Sequence, residues 1–168
     1  NYWMHNGMLL VDGQKMSKSL GNFKTVKDIH DQHPPEALRF FMLQTHYRSP
    51  LNWTDDAVRE AKHILDRFYL ALQKTADLPA EKVQAPEAFL NALQDDLNTP
   101  QAIHHMHETL TNLNKAESDT NKANLKSELQ AMGQLLGILD QDPDTWLKGG
   151  SSATLEDGKI EELIQQRQ

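Results

Sequence analysis

The chain has 168 residues, 38% apolar and 24% charged, with a formal net charge of −7 and no cysteine. That composition suits a folded globular chain and excludes a disulfide scaffold or a thiolate metal site within these residues. No apolar run approaches the roughly 20 residues that a membrane-spanning helix needs. Charge is unevenly spread: residues 1–50 carry six basic and four acidic side chains, residues 51–168 carry 11 and 20. Lys15, Lys18, Lys24 and Lys27 follow one another with no acid between the first and the last. An anion site is therefore expected near the N-terminal end, and the later surface is expected to repel a nucleic acid backbone at long range. The sequence opens on Asn1 without a secretory signal, so it is expected to be a piece of a longer protein.

The apolar run Met8–Val11 meets Asp12-Gly13, a turn dipeptide, and Gln14–Met16 lies beyond it. This pattern predicts a small hairpin whose second arm feeds a polar loop, Ser17–Asn22. Thr25 and Asp28 have the spacing of a capping box and predict a short helix to about His33. Pro34-Pro35 ends it, and Pro35 suits the first position of a helix over 36–46, apolar nearly all round and so expected to be buried. Thr54 is expected to cap a long helix with Val58, Ala61, Leu65, Phe68 and Leu72 on one stripe. A shorter helix carries Phe89, Leu90 and Leu93. Thr99-Pro100 is expected to cap and open another, with Ile103, Met106, Leu110 and Leu113 inward. Leu125, Leu129, Met132, Leu136 and Leu139 mark one more. Wide apolar stripes and short polar connections predict an antiparallel helical bundle over 51–147. Residues 148–158, rich in glycine and serine, read as a flexible linker, and 159–168 as the start of a helix leading into a further segment.

The chemistry concentrates in Lys15-Met16-Ser17-Lys18-Ser19. Two lysines three apart leave a hairpin on a loop of small polar residues, so a mobile arm can bring two ammonium groups and two hydroxyls to a polyphosphate. A lysine acts there as a point charge, worth most where negative charge develops during nucleotidyl transfer. Taken alone, a Lys-x-x-Lys spacing also describes an ordinary solvated turn.

The full string KMSKS followed by Leu20-Gly21-Asn22 resembles the signature loop of class I aminoacyl-tRNA synthetases. Tyr2–Gly7 before it, and Gly21-Asn22-Phe23, Thr25-Val26 and Asp28-Ile29 after it, are similar to the cysteinyl-tRNA synthetase family within that class. His46–Asn52 and Asp95–Pro100 are similar to it as well, so the resemblance covers the chain in four separated segments. Glu36-Ala37-Leu38-Arg39 resembles the start of the region that joins the catalytic domain to a DALR-type bundle.

The resemblance implies a mainly α chain. Residues 1–50 would hold a short hairpin, the KMSKS loop and connecting helices from the end of a nucleotide-binding domain, and the anticodon-binding-type bundle would follow. It implies ATP with Mg2+, cysteine and tRNA(Cys) as partners, a cytoplasmic monomer, and ATP contacts from Lys15, Met16, Ser17, Lys18 and Ser19, with Lys18 foremost. The family's HIGH-like motif is absent, and its zinc ligands are expected upstream, so these residues alone are expected to be inactive. An amino-sugar ligase of the mycothiol pathway carries a similar loop, and a non-catalytic tRNA-binding bundle remains a third alternative.

Smaller signals are weaker. His104, His105 and His107 lack a convincing set of carboxylate partners for a metal. Arg48 is open between a phosphate and an acidic partner. Asp95–Pro100 reads as a helix junction. Trp3, Trp53 and Trp146 are expected to pack in the interior.

Overall fold

A computed structural model describes residues 1, 3–23, 25–30 and 32–148, without the side chains of Lys18, Val26 and His30. The linker and following helix expected over 149–168 lie outside the described residues. The first elements are the strands β1 (Leu9–Val11) and β2 (Gln14–Lys15), antiparallel with Leu10 opposite Lys15, as the turn dipeptide requires. A third strand, β3 (Leu51–Trp53), was not legible in the sequence; it pairs in parallel with β1, giving the order β2-β1-β3. Three residues are too few for a period of two to show, and parallel pairing needs a distant partner.

Two helices cross between β2 and β3. The first is α1 (Val26–His30), opened by the expected capping box. The Asp28 carboxylate accepts the Thr25 N–H at 3.0 Å while Thr25 Oγ1 accepts the Asp28 N–H at 3.2 Å. It ends at His30, short of His33, and Pro34 disfavours helical backbone at His33 itself. The second is α2 (Pro35–Leu43), with proline in its first position. Its burial is one-sided: Glu36, Ala37, Phe40 and Phe41 are inside, while Met42 is 59% exposed.

The bundle consists of α3 (Asp55–Lys74), α4 (Glu87–Gln94), α5 (Thr99–Lys115), α6 (Asp119–Leu136) and the short α7 (Pro143–Leu147). All five expected stripe residues of α3 are buried, together with Tyr69 and Ala71. This helix packs on α2, α5 and α7, while α5 packs on α4 and α6. Phe40, Phe68, Tyr69 and Phe89 are fully buried, each worth about 2–3 kcal/mol of transfer free energy.

Helix ends account for most differences from expectation. Thr54 Oγ1 does accept the Ala57 N–H, at 3.0 Å. The α5 cap, however, is Asn98, whose Oδ1 accepts the Gln101 N–H at 3.2 Å, one residue before the expected Thr99. Ser118 caps α6, and Gly137 ends it in the left-handed region with φ 65°, so Leu139 lies beyond the helix. The far end of α3 is closed from a distance: buried Lys126 donates to the Thr75 and Leu78 carbonyls, each at 2.8 Å. Trp53 and Trp146 are buried as expected, but Trp3 is 88% exposed because nothing among the described residues covers it.

Candidate functional site: the lysine–serine loop and its frame

The loop begins where β2 leaves the hairpin. The turn residues Asp12 and Gly13 have φ of 50° and 77°. Both are tied to β3: the Asp12 N–H donates to the Trp53 carbonyl at 3.0 Å, and the Gly13 N–H to Asn52 Oδ1 at 2.8 Å. The hairpin therefore cannot swing independently of the strand that leads into the bundle.

Beyond Lys15 the loop is closed by one side chain. Asn22 accepts the Ser17 N–H at 2.9 Å through Oδ1 and donates to the Lys15 carbonyl at 3.2 Å through Nδ2. A side-chain amide holds a donor group and an acceptor oxygen in one plane, so here it imitates a pair of strand hydrogen bonds across the loop mouth. Ser17 Oγ accepts the Leu20 N–H at 3.3 Å and lies 3.2 Å from Ser19 Oγ, capping a 3-10 turn over Lys18–Leu20. Lys15 and Ser19 are exposed, and Met16 and Ser17 are half-buried. The side chain of Lys18, the foremost expected ATP contact, lies outside the described residues. Asn22 and Asn52 carry the framing; the sequence showed each only within a motif string and gave no sign that either holds the loop or its hairpin.

A second cluster lies where the loop after α2 meets the α4–α5 turn. The Tyr47 hydroxyl donates to Asp96 Oδ1 at 2.6 Å, and the Arg48 guanidinium donates to both Asp96 oxygens at 2.8 and 3.0 Å. His46 Nε2 lies 3.0 Å from the Asp96 carbonyl oxygen, and its ring stacks on Tyr47. The Tyr47 bond first, and then Arg48, hold the Asp96 carboxyl below its ordinary range. Arg48 thus has an acidic partner. Residue 7 reaches the same loop: the Gly7 N–H donates to the Tyr47 carbonyl at 2.6 Å, and a Cβ at Gly7 would collide with the Ser49 carbonyl group. Beside this cluster a cleft of about 420 Å3 opens between Met4, Leu9 and Met42 on one side and Leu97 on the other.

The third junction is buried. Glu36 accepts the Tyr69 hydroxyl at 2.9 Å, the Leu139 N–H at 2.8 Å and the Gln141 side-chain amide at 3.0 Å. Burial first, and then the Glu36 charge, push the Tyr69 phenol well above its ordinary pKa, so it remains a donor. From the next turn of α2, Arg39 Nε donates to the Leu136 carbonyl at 2.5 Å. Glu36 and Arg39, three apart in the Glu-Ala-Leu-Arg string, thereby grip the α6 terminus.

The histidines of α5 are engaged otherwise. His105 Nδ1 lies 2.9 Å from Glu108 Oε2, and His107 packs its ring on Phe68 at 5.1 Å. Among the described residues no group of three or more histidine, aspartate or glutamate side chains could hold a metal ion. The chain has no cysteine either, and the zinc ligands that the resemblance implies are expected upstream.

Two family descriptions match the chain: the tRNA synthetases class I (C) catalytic domain over residues 1–63, and the DALR domain over residues 88–140. The loop lies in the first, and the α4–α6 helices, all but Glu87, fall within the second. A cysteine–tRNA ligase of Paramagnetospirillum magneticum is 52% identical across 99% of this chain. Those of Rhodospirillum rubrum and Xanthomonas campestris pv. campestris are 47% and 45% identical, each across 99% of it. The chain is thus similar, along nearly its whole length, to part of cysteine–tRNA ligases. It spans 36–37% of the length of these three relatives.

Proposed function

We propose that this chain is part of a cysteine–tRNA ligase. The ligase joins cysteine to ATP as cysteinyl-adenylate and then transfers the cysteinyl group to the 3′ end of tRNA(Cys). The observation that carries this reading is the identity of 52% across nearly the whole chain to a protein of that name. The Lys15–Ser19 loop within the catalytic-domain match supports it. In the first step the cysteine carboxylate attacks the α-phosphorus of ATP, the bond to the bridging oxygen breaks, and pyrophosphate leaves. Lys15 and Lys18 supply ammonium groups to the charge that grows on that leaving group, and Ser17 and Ser19 supply hydroxyl donors to phosphate oxygens, while half-buried Met16 packs against the core. ATP enters with Mg2+, whose charge is offset by the phosphates it accompanies.

The bundle over 51–147 lies along tRNA, and residues 1–50, joined by β3, belong to the end of the catalytic domain. Among the described residues no helix is long and apolar enough to cross a membrane. The ligase is proposed to act as a cytoplasmic monomer, as the resemblance implies.

Cysteinylation of tRNA by the intact polypeptide tests this, with Lys18→Ala beside the wild type. Loss of about 10²-fold or more in adenylate formation is expected, the scale for removing one group that stabilises transition-state charge. Wild-type pyrophosphate exchange without tRNA charging would instead indicate transfer to an amino sugar. Neither activity in a folded protein would leave a tRNA-binding bundle.

A further inference from the structure

The contact at Asp96 has a form that stability alone does not account for. Asp96 and Leu97 are consecutive non-glycine residues in the left-handed region, with φ of 54° and 53°. That backbone conformation is unfavourable for side chains with a Cβ. The turn is held in it by three neighbouring residues of another segment, His46, Tyr47 and Arg48. Arg48 and Asp96 have side chains 64% and 44% exposed, and ion pairs so placed contribute little to folding. The adjoining cleft shows that the two segments are not closely packed beside this point, so the hydrogen bonds bridge a gap.

The covalent and hydrogen-bonded route from the clamp to the loop is short. Tyr47 holds Gly7 through its carbonyl; the next residue, Met8, accepts the Leu51 N–H at 2.9 Å and leads directly into β1. Strand β1 then pairs Leu10 with Lys15, where Asn22 closes the loop. On the other side Asp96 sits two residues before the Asn98 cap of α5. A tilt of the α4–α5 pair is therefore resisted at the small sheet whose strand β2 carries Lys15 and leads into the Lys18 turn.

We propose that Asp96, gripped by Tyr47 and Arg48, is a positioning residue that sets the helical bundle against the lysine-loop sheet, so that a tRNA touching both is presented in register for the transfer step. This rests on the ligase function proposed above. Adenylate formation takes place on the catalytic-domain side, where Asn22 and Asn52 frame the loop without Asp96, and so should not depend on the clamp.

The test uses the intact polypeptide carrying Asp96→Gly or Asp96→Asn. Glycine removes the grip and also relieves the left-handed backbone, so folding is preserved; asparagine tolerates that backbone, keeps an acceptor for Tyr47 and loses the charge. Pyrophosphate exchange is expected to stay within about 2-fold for both variants. The KM for tRNA is expected to rise about 10-fold or more for Asp96→Gly and less for Asp96→Asn, the ordering that partial retention of the grip requires. An unchanged KM for tRNA in Asp96→Gly would overturn the proposal, and so would an equal loss in exchange and charging. A wild-type protein that neither exchanges pyrophosphate nor charges tRNA would overturn the ligase function itself, before any variant is compared.

Discussion

Glu36 shows how much one polar side chain can organise when burial leaves it no water. It is 9% exposed, yet its carboxylate is bonded by a phenol, a backbone N–H and a side-chain amide drawn from α3 and from the segment after α6. A buried acceptor removed from such a set leaves its donors unsatisfied, which costs more than the bonds contributed on balance. Glu36→Ala is therefore expected to destabilise the protein by about 2–4 kcal/mol, measured as a lower denaturant midpoint at unchanged slope. Glu36→Gln, which keeps one acceptor oxygen, should recover a substantial part of that loss. In the sequence this residue looked like one acid in the first turn of a helix, a favourable but ordinary place. The Glu-Ala-Leu-Arg resemblance pointed to the region, and only its partners 97–105 positions away explain why an acid and a base stand three apart.

At the scale of elements, the helices were legible because their stripes repeat for many turns. Val58 through Leu72 sample the 3.6-residue period five times, and the structure buries each of them. Ends were read less well, since a cap is decided by one hydrogen bond rather than by a period. Asn98 and Thr99 both suit an N-cap by chemistry; the strained Asp96-Leu97 turn places Asn98 where its oxygen meets the Gln101 N–H. The stripe Leu136–Leu139 continued the helical spacing, but Gly137 breaks it. Gly137 sits at φ 65°, and a Cβ there would meet the Arg39 guanidinium at 3.0 Å. Gly137→Ala should cost about 1–2 kcal/mol, from the left-handed backbone and from displacement of Arg39, with a matching fall in melting temperature. Strand β3 was illegible for the opposite reason: three residues carry no period.

For the whole molecule, one titration is coupled to packing. His107 of α5 lies against Phe68 of α3, with Arg67 of α3 and His104 of α5 as the charged or titratable neighbours acting on it. Burial first, then Arg67 and His104, lower its pKa below the ordinary value of 6.5. The unfolded chain therefore takes up the proton before the folded one does. Stability from this site is complete above about pH 6.5 and is lost as pH falls through the folded value. Thermal melts at pH 7.5 and 5.5 should differ more for the wild type than for His107→Gln, and an equal difference would show that the α3–α5 contact does not sense this proton.

The sequence by itself determined the helical stripes, the hairpin turn, the capping box at Thr25 and Asp28, and the motif string that carries the family resemblance. Each is set by neighbours within a few residues, where period, backbone preference and spacing are written in order along the chain. The tertiary structure alone decided that β3 pairs with β1, that Asn52 holds the hairpin turn, that Lys126 closes α3, and that Arg48 meets Asp96. These contacts join residues 39–51 positions apart, and each partner taken singly has an acceptable solvated or local alternative. What selects the distant partner is packing: once the α2–α3 and α4–α5 faces have buried their apolar stripes, few polar groups remain within reach, and burial penalises those left unpaired.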